Sequence, residues 1–539
     1  MGLIHSRGGH GVYLILISAM AALVEAVALL FTISEDGRSG QIRPVGSPLD
    51  TAGLRVDETN TRWLMDDSGK ARYLTGPTGQ FDLNPNATVS TVQDLWRNDV
   101  TGMNDYAAAF DAVVANGHNF VRLWRWETSA WGTSAQFASR THWRVPISQM
   151  PWTLVGSWVD MRTGSEVPVG IYDLTSFNQS YFDRLRAVVS SAVNKGLTPS
   201  VMLFEGNENQ AKVVLGFTHP MLGGNNINGV SCDTNSDAHC EETHTLADAT
   251  ITGYQDAYVR KVIDTLNDID GYIYEIVNET GFDSVTWQNR VADLIAQYEL
   301  QDGRQSHPIW MSHWGTASRQ PPSNRYLFEN AHVQIVAPAG REYETNPPHN
   351  HGNKRANVVF HDTDHAGYGN GIVTVDWPWK AFTRGISPLY LDCPHGYCRR
   401  ERDSERPLIR RAMAQTLTFA NRINLKDMTV ATGYKIIDTS YGLYQPCAEY
   451  LMYMPKDGRN KINLEPCNPE HSFTVQYFEP MTGITISGGT VRGGAARSFD
   501  PPGTNPMVVY LKSLSDDESD RYTLVDRYQI SIASPAGSG

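Results

Sequence analysis

Long blocks of like charge are missing from this chain. Lys and Arg number 45 against 58 Asp and Glu, a formal net charge of −13 dispersed over 539 residues. Binding a polyanion needs clustered cations, so nucleic acid is not an expected partner. Cysteines number only six, and no two have the Cys-x-x-Cys spacing of a zinc site. A Gly-x-Ser-x-Gly elbow is absent, which leaves a serine triad without support. No glycine-rich phosphate loop follows the first predicted strand, which weighs against an open doubly wound nucleotide-binding sheet. No cofactor is expected.

Aromatic residues, by contrast, are plentiful. They make up 10% of the chain, with 13 Trp and 24 Tyr, and such rings suit both core packing and the apolar faces of sugars. The chain is too long for a single core, so one large and one smaller domain are expected. The six cysteines fall into near-neighbour couples: Cys232 with Cys240, Cys393 with Cys398, and Cys447 with Cys467. Six cysteines allow fifteen pairings, and these local ones would clip loops in an oxidising compartment. Val12 to Ile33 is apolar except for Glu25, long enough against the rule of about 20 residues to span a bilayer. Residues 1–33 are therefore expected to be a signal peptide or signal anchor, and the protein secreted or extracytoplasmic, touching membrane only through that segment. Asn86 and Asn178 stand in glycosylation sequons.

After a linker at 34–55, helical and strand periods alternate over 56–425. RWLMDDSGKARYLTG reads as a hairpin leading into a first strand near Tyr73 to Thr75. The helix Tyr106 to Asn116 ends at Gly117, and the buried strand FVRLW follows at once. The pattern recurs through helices at Tyr181 to Lys195, Ala247 to Leu266 and Thr286 to Leu300. Apolar strands follow in SVMLFEG, YIYEIVN, PIWMSHWG, VQIVAPA, NVVFHDTD and ISPLYLDC, with a short helix at Lys380 to Arg384 before the last. With the first strand this makes eight, the count of a (β/α)₈ TIM barrel, an α/β fold. Glu405 to Ile423 is a closing helix. Residues 426–513 turn all-β, with short strands and Gly, Pro and Asn turns that predict a small sandwich, and 514–539 form a tail. Thr243 and Thr245 are candidate caps for the long third helix.

The polar residues at the carboxyl ends of the strands share one rim. Arg122, Trp124 and Trp126 follow strand two, Glu205 strand three, Asn278 and Glu279 strand four, His313 and Trp314 strand five, and Asp362 and Asp364 strand seven. Each has an ordinary explanation alone; Arg122, for example, could simply pair with a core carboxylate such as Glu205. Stability residues have no reason to gather at one rim, however, and that is where a barrel keeps its chemistry. A carboxyl set among apolar walls has its charged form disfavoured and can donate a proton near neutral pH. Glu279, at the end of an apolar run, suits that role, with Asp362 as the second acid of a two-carboxylate glycosidic cleavage. His361, Asp362, Asp364 and His365 also invite a metal reading. Strand alternation sends His361 and Asp362 to opposite faces, so no metal site is expected.

These residues resemble a family. Arg122 after strand two, Asn278-Glu279 after strand four and an acid after strand seven resemble the cellulase-like, clan A type glycoside hydrolases. YDLTSFNQSYFDRLR, AYVRKVIDTLNDID, YEIVNETG and WPWKAFTRGISPLYLD are similar to secreted members that carry a C-terminal β-sandwich of the collagen-binding type. The resemblance implies Glu279 as general acid/base, Asp362 as nucleophile or base, and Asn278 beside the hydroxyl next to the anomeric centre. Arg122 would hold the second carboxylate ionised. Trp124, Trp126, Trp314 and Trp379 would be sugar platforms, with Glu205, His313 and Asp364 as further carbohydrate contacts. One departure stands out, because the clan places Glu on strand seven where this chain has Asp362, with Asp364 two residues on. The expected activity is hydrolysis of O-glycosidic bonds in an extracellular poly- or oligosaccharide. The other reading is a non-catalytic carbohydrate- or matrix-binding protein on a degenerate barrel.

Overall fold

A computed structural model describes residues 53–78, 98–99, 102–103, 106–131, 142–143, 146–159, 161, 166–206, 218–236, 239–312, 324–340, 344, 357–363, 373–391, 405–455, 458–503 and 506–514. Eight parallel strands form one sheet: β1 (Gly76–Pro77), β2 (Phe120–Leu123), β3 (Thr198–Glu205), β4 (Ile273–Asn278), β5 (Ile309–Ser312), β6 (Ile335–Ala337), β7 (Val358–Asp362) and β8 (Ile386–Tyr390). Their order, β1-β8-β7-β6-β5-β4-β3-β2, runs sequentially around the sheet. The ring closes between β1 and β2 through Asn119. Its backbone N–H donates to the Thr75 carbonyl at 3.1 Å, its Oδ1 accepts from the Thr75 N–H at 3.0 Å, and its Nδ2 donates to the Tyr73 carbonyl at 2.9 Å. Gly76 is required at this seam, since a Cβ there would sit 2.0 Å from the Phe120 carbonyl oxygen. The fold is therefore a (β/α)₈ barrel, as the alternation of periods predicts.

The helices α1 (Tyr106–Ala115), α2 (Gln179–Asn194), α3 (Ala249–Leu266), α4 (Val285–Glu299), α5 (Asp376–Phe382) and α6 (Arg406–Arg422) connect or follow the strands. Strand alternation divides the buried residues into two sets. Phe120, Ile273, Trp310, Ile335, Phe360 and Leu389 fill the barrel interior. Within it the rings of Phe120, Trp310 and Phe360 meet edge to face at 5.1–6.4 Å. Val121, Leu123, Tyr274, Ile276 and Val359 instead face the helices. Helix α3 is capped by Asp248, whose Oδ1 accepts from the Thr250 and Ile251 N–H groups at 2.7 and 3.2 Å, and not by Thr243 or Thr245. Those two hydroxyls donate within the preceding 3₁₀ turn, to the Cys240 and Glu242 carbonyls. The short helix expected to include Lys380 to Arg384 is α5, which starts at Asp376 and ends at Phe382.

The carboxyl-terminal strands β9 (Thr429–Val430), β10 (Gly442–Gln445), β11 (Glu449–Met454), β12 (Lys461–Asn463), β13 (Ser472–Glu479), β14 (Ile484–Arg492), β15 (Ala496–Ser498) and β16 (Met507–Ser513) are antiparallel. Six form a sheet in the order β9-β10-β11-β16-β13-β14, while β12 and β15 pair separately. Period-two alternation gives the large sheet two apolar faces. Tyr450, Met452, Met454, Val509 and Leu511 pack toward Ile462 of β12 and Phe499. Leu451, Tyr453, Val508 and Tyr510 pack toward Phe419 of α6 and Phe382 of α5.

Trp379 lies in that second layer. It is fully buried, its ring stacked on Tyr453 at 6.3 Å, edge to face with Phe419 at 5.3 Å and tilted against Phe478 at 5.7 Å. The expectation of a sugar platform at Trp379 is thus corrected: α5 turns the indole away from the rim and into the seam between barrel and sheet.

Cys232–Cys240 and Cys447–Cys467 form the expected disulfides. Cys393 and Cys398 lie outside the described residues, as do the apolar segment Val12 to Ile33 and Asn86. Among the described residues no helix is long and apolar enough to cross a membrane. The Asn178 amide donates to the Ser148 and Met150 carbonyls at 2.8 and 3.0 Å, so a glycan there, which replaces one amide hydrogen, would break one of the two bonds.

Candidate active site

Strand alternation turns Arg122 of β2, Glu275 of β4 and Asp362 of β7 inward, one layer above Phe120, Ile273 and Phe360. The guanidinium sits 5.0 Å from the Trp310 ring centre below and 4.8 Å from that of Trp124. Its Nε donates to both Glu275 oxygens at 3.1 and 2.9 Å, and its Nη2 also bonds Glu275. Nη2 reaches Asn278 Oδ1 at 2.8 Å, while Nη1 donates to Thr78 Oγ1 and to Asp362 Oδ2, both at 3.0 Å. The side chains of Arg122, Glu275 and Asp362 are wholly buried. Charge-assisted bonds of this kind, in a fork only arginine supplies, fix the orientation of both carboxylates.

From Asn278 the network continues sideways. Glu205 and Asn278 are register partners at the ends of β3 and β4, and the Asn278 Nδ2 donates to Glu205 Oε1 at 3.0 Å. Next in sequence comes Glu279, which is buried with a φ of 42°. A non-glycine residue in the left-handed region is uncommon and costs on the order of 1–3 kcal/mol, so it persists only where the surroundings hold it. Here Gly206 supplies part of that hold: its N–H donates to the Asn278 carbonyl at 2.7 Å. A Cβ on Gly206 would lie 2.5 Å from Thr280 Cα, so only glycine lets the two strand ends approach this closely.

A second buried network flanks the first. Glu127, beyond the end of β2, accepts from the Glu205 N–H at 3.0 Å and lies 3.5 Å from Arg125 Nη1. Its two oxygens also meet His244 Nε2 at 3.2 Å and His219 Nε2 at 3.1 Å. Burial raises the Glu127 carboxyl, but His244, His219 and Arg125 outweigh it and hold the group well below the usual carboxylate range. Burial is also the largest influence on His219, lowering its imidazole despite the contact with Glu127. The His219 Nδ1 accepts from the Met221 N–H at 3.0 Å, which assigns the proton to Nε2, facing Glu127.

Arg122, Glu205, Asn278 and Asp362 therefore form one hydrogen-bonded group at the carboxyl ends of β2, β3, β4 and β7, with Glu279 following directly. Arg122 does have a core carboxylate for a partner, but it is Glu275, two residues inside an apolar run, rather than Glu205. Trp124 and Trp126 lie beside the group and are tilted against each other at 5.3 Å. Each is only 4% exposed, and the Trp124 Nε1 donates to the Thr78 carbonyl at 2.8 Å. With Arg122 over its ring, Trp124 packs directly against this group. His313, Trp314 and Asp364 lie outside the described residues. His361 points away from Asp362, as alternation requires, and its Nδ1 accepts from Trp377 Nε1 at 3.0 Å.

The barrel has counterparts among solved structures of glycoside hydrolases. One is described as a glycoside hydrolase family 5 protein from Bacteroides vulgatus, matching at a TM-score of 0.52 and 10% identity over 89% of this chain and 96% of its own. Another, described as a glycoside hydrolase, matches at a TM-score of 0.50 and 12% identity over 87% of this chain and 99% of its own. At such identities the likeness is one of fold. No protein-family model and no curated protein matches the chain.

Proposed function

We propose that the protein is a glycoside hydrolase that cleaves O-glycosidic bonds of an extracellular poly- or oligosaccharide with two carboxyl groups. The observation that carries this reading is the Arg122 guanidinium, which joins Asp362 on β7 to Asn278 on β4, the residue before Glu279. Glu279 would protonate the departing oxygen, while Asp362 would attack the anomeric carbon or activate a water. Asn278, its amide oriented by Arg122 and Glu205, would meet the neighbouring sugar hydroxyl with its remaining amide hydrogen. The likeness to glycoside hydrolase folds and two disulfides suited to an oxidising compartment support the same reading.

Replacing Glu279 with Gln tests it. Gln keeps the shape and cannot supply the proton, so hydrolysis across a panel of plant, fungal and bacterial glycans should vanish while the folded circular dichroism spectrum persists. Hydrolysis undiminished in Glu279→Gln refutes the assignment. Tight glycan binding by the wild-type protein with no turnover would instead favour a binding role for the barrel.

A further inference from the structure

The buried network around Glu127 has no part in the two-carboxyl chemistry, yet it ends on the residue that follows Glu279. The Thr280 hydroxyl lies 3.0 Å from His244 Nδ1, and His244 Nε2 lies 3.2 Å from Glu127 Oε1. Thr280, His244 and Glu127 are all buried, and the imidazole is stacked on Trp287 with ring centres 4.6 Å apart. The same Glu127 oxygen accepts the Glu205 N–H, and Glu205 bonds Asn278. Both ends of the Asn278-Glu279-Thr280 turn are thus tied to one carboxylate, and between them stands the residue with φ of 42°.

We infer that Glu127, His244 and Thr280 are positioning residues, a hydrogen-bonded chain that holds the Glu279 backbone in its left-handed conformation and so aims its carboxyl at the leaving oxygen. The inference rests on reading Glu279 as the proton donor. An ionised Glu127 accepts from His244 Nε2, and the Thr280 hydroxyl is the partner of Nδ1 on the other side of the ring, donating to a neutral imidazole or accepting from a protonated one. The Thr280 hydroxyl then cannot rotate away without orphaning a buried imidazole nitrogen. The loop that carries both histidines, 219 to 244, contains the Cys232–Cys240 disulfide, which limits its freedom to withdraw them.

Thr280→Val keeps the shape and removes the hydroxyl, whereas Thr280→Ser keeps the hydroxyl. The two are compared with wild type on an alkyl glycoside and on a 2,4-dinitrophenyl glycoside of the same hydrolysed sugar. In the bond-breaking step, which kcat/KM reports, a misaimed acid matters only where the leaving group needs a proton. Thr280→Val should therefore lower kcat/KM on the alkyl glycoside by roughly 10- to 100-fold. On the dinitrophenyl glycoside kcat/KM should stay within about 3-fold, and Thr280→Ser should match wild type on both substrates. Equal losses on the two substrates, or no loss on either, overturn the inference. His244→Gln should repeat the Thr280→Val pattern. If the wild-type protein cleaves neither substrate, the hydrolase reading fails separately, and a crystal structure of Thr280→Val then decides the positioning claim. Glu279 leaving positive φ supports it, and an unchanged φ overturns it.

Discussion

Arg122→Lys is the substitution that loads the site most heavily. Among the described residues Arg122 makes six hydrogen bonds, three of them to Glu275 and one each to Thr78, Asp362 and Asn278. Lysine keeps the charge but offers a single point with three donors, and it cannot serve carboxylates on opposite sides of the barrel. Because Glu275 takes half of these bonds, the ammonium should settle there and break the ion pair with Asp362, which is wholly buried. Breaking a buried pair from one side costs about 3–5 kcal/mol, and that loss should appear in urea unfolding as a lower midpoint at unchanged slope. Hydrolysis should fall by about 100-fold or more, since Asp362 loses the group that orients it. Adding Glu275→Gln frees the ammonium to move toward Asp362, so the double variant should recover part of the activity, whereas Asp362→Asn added instead should recover none. A stability loss below about 1 kcal/mol with activity retained would refute the bridging role, because a surface-like pair is worth no more than that.

Three further outcomes follow from the same contacts. Asp362→Glu lengthens a wholly buried side chain held 3.0 Å from Arg122, so it should cost about 1–3 kcal/mol of overpacking and lower kcat. A variant as stable as wild type and more active would show that the site has room for the longer acid. Gly206→Ala should abolish glycan cleavage, since its Cβ would lie 2.8 Å from the Thr280 backbone nitrogen; alanine tolerated with full activity contradicts the close approach of the strands. The third outcome concerns acid stability. Burial, aided by Arg410, lowers the His118 imidazole to about 3, and its Nδ1 faces the Thr75 hydroxyl at 3.1 Å. The unfolded chain takes up the proton near the ordinary pKa of about 6.5 and the folded one does not, so stability should rise with pH between about 3 and 6.5. At about 1.4 kcal/mol per unit the span is at most about 5 kcal/mol. Urea midpoints measured across that range should flatten in His118→Gln; an unchanged slope means that His118 is not the group responsible.

What could be read in the sequence was set by period and by position along each strand. Alternating helical and strand periods were enough for eight strands because a parallel barrel buries each strand on both faces, leaving continuous apolar runs such as Ile273 to Val277. Alternation alone also places Phe360 and Asp362 on one side and His361 on the other. Trp379 misled because a short helix carrying two tryptophans and a lysine offers no signal of which side meets the second sheet. The Thr243 and Thr245 caps failed for a similar local reason, since Asp248 stands closer to the first helical turn.

Partnership is a different kind of information. Glu275 shares its inward face with Ile273, and a charge on a face that cannot reach water demands a buried partner, so its need for one was legible in the run YIYEIVN. Its identity was not. Arg122 and Glu275 are 153 positions apart, and they meet because β2 and β4 flank β3, with Ser200 beside Arg122 and Met202 beside Glu275. The register that brings them level belongs to the closed ring rather than to either segment. The same holds for Glu127 and His244, which come from separate loops and meet behind the end of β3. A single chain displays which residues stand at the rim; the barrel's stagger decides which of them share a proton or a charge. Substitutions inside β3 that shift its register by two residues should therefore disable Arg122, Glu275 and Glu205 together, even with every one of those side chains left in place.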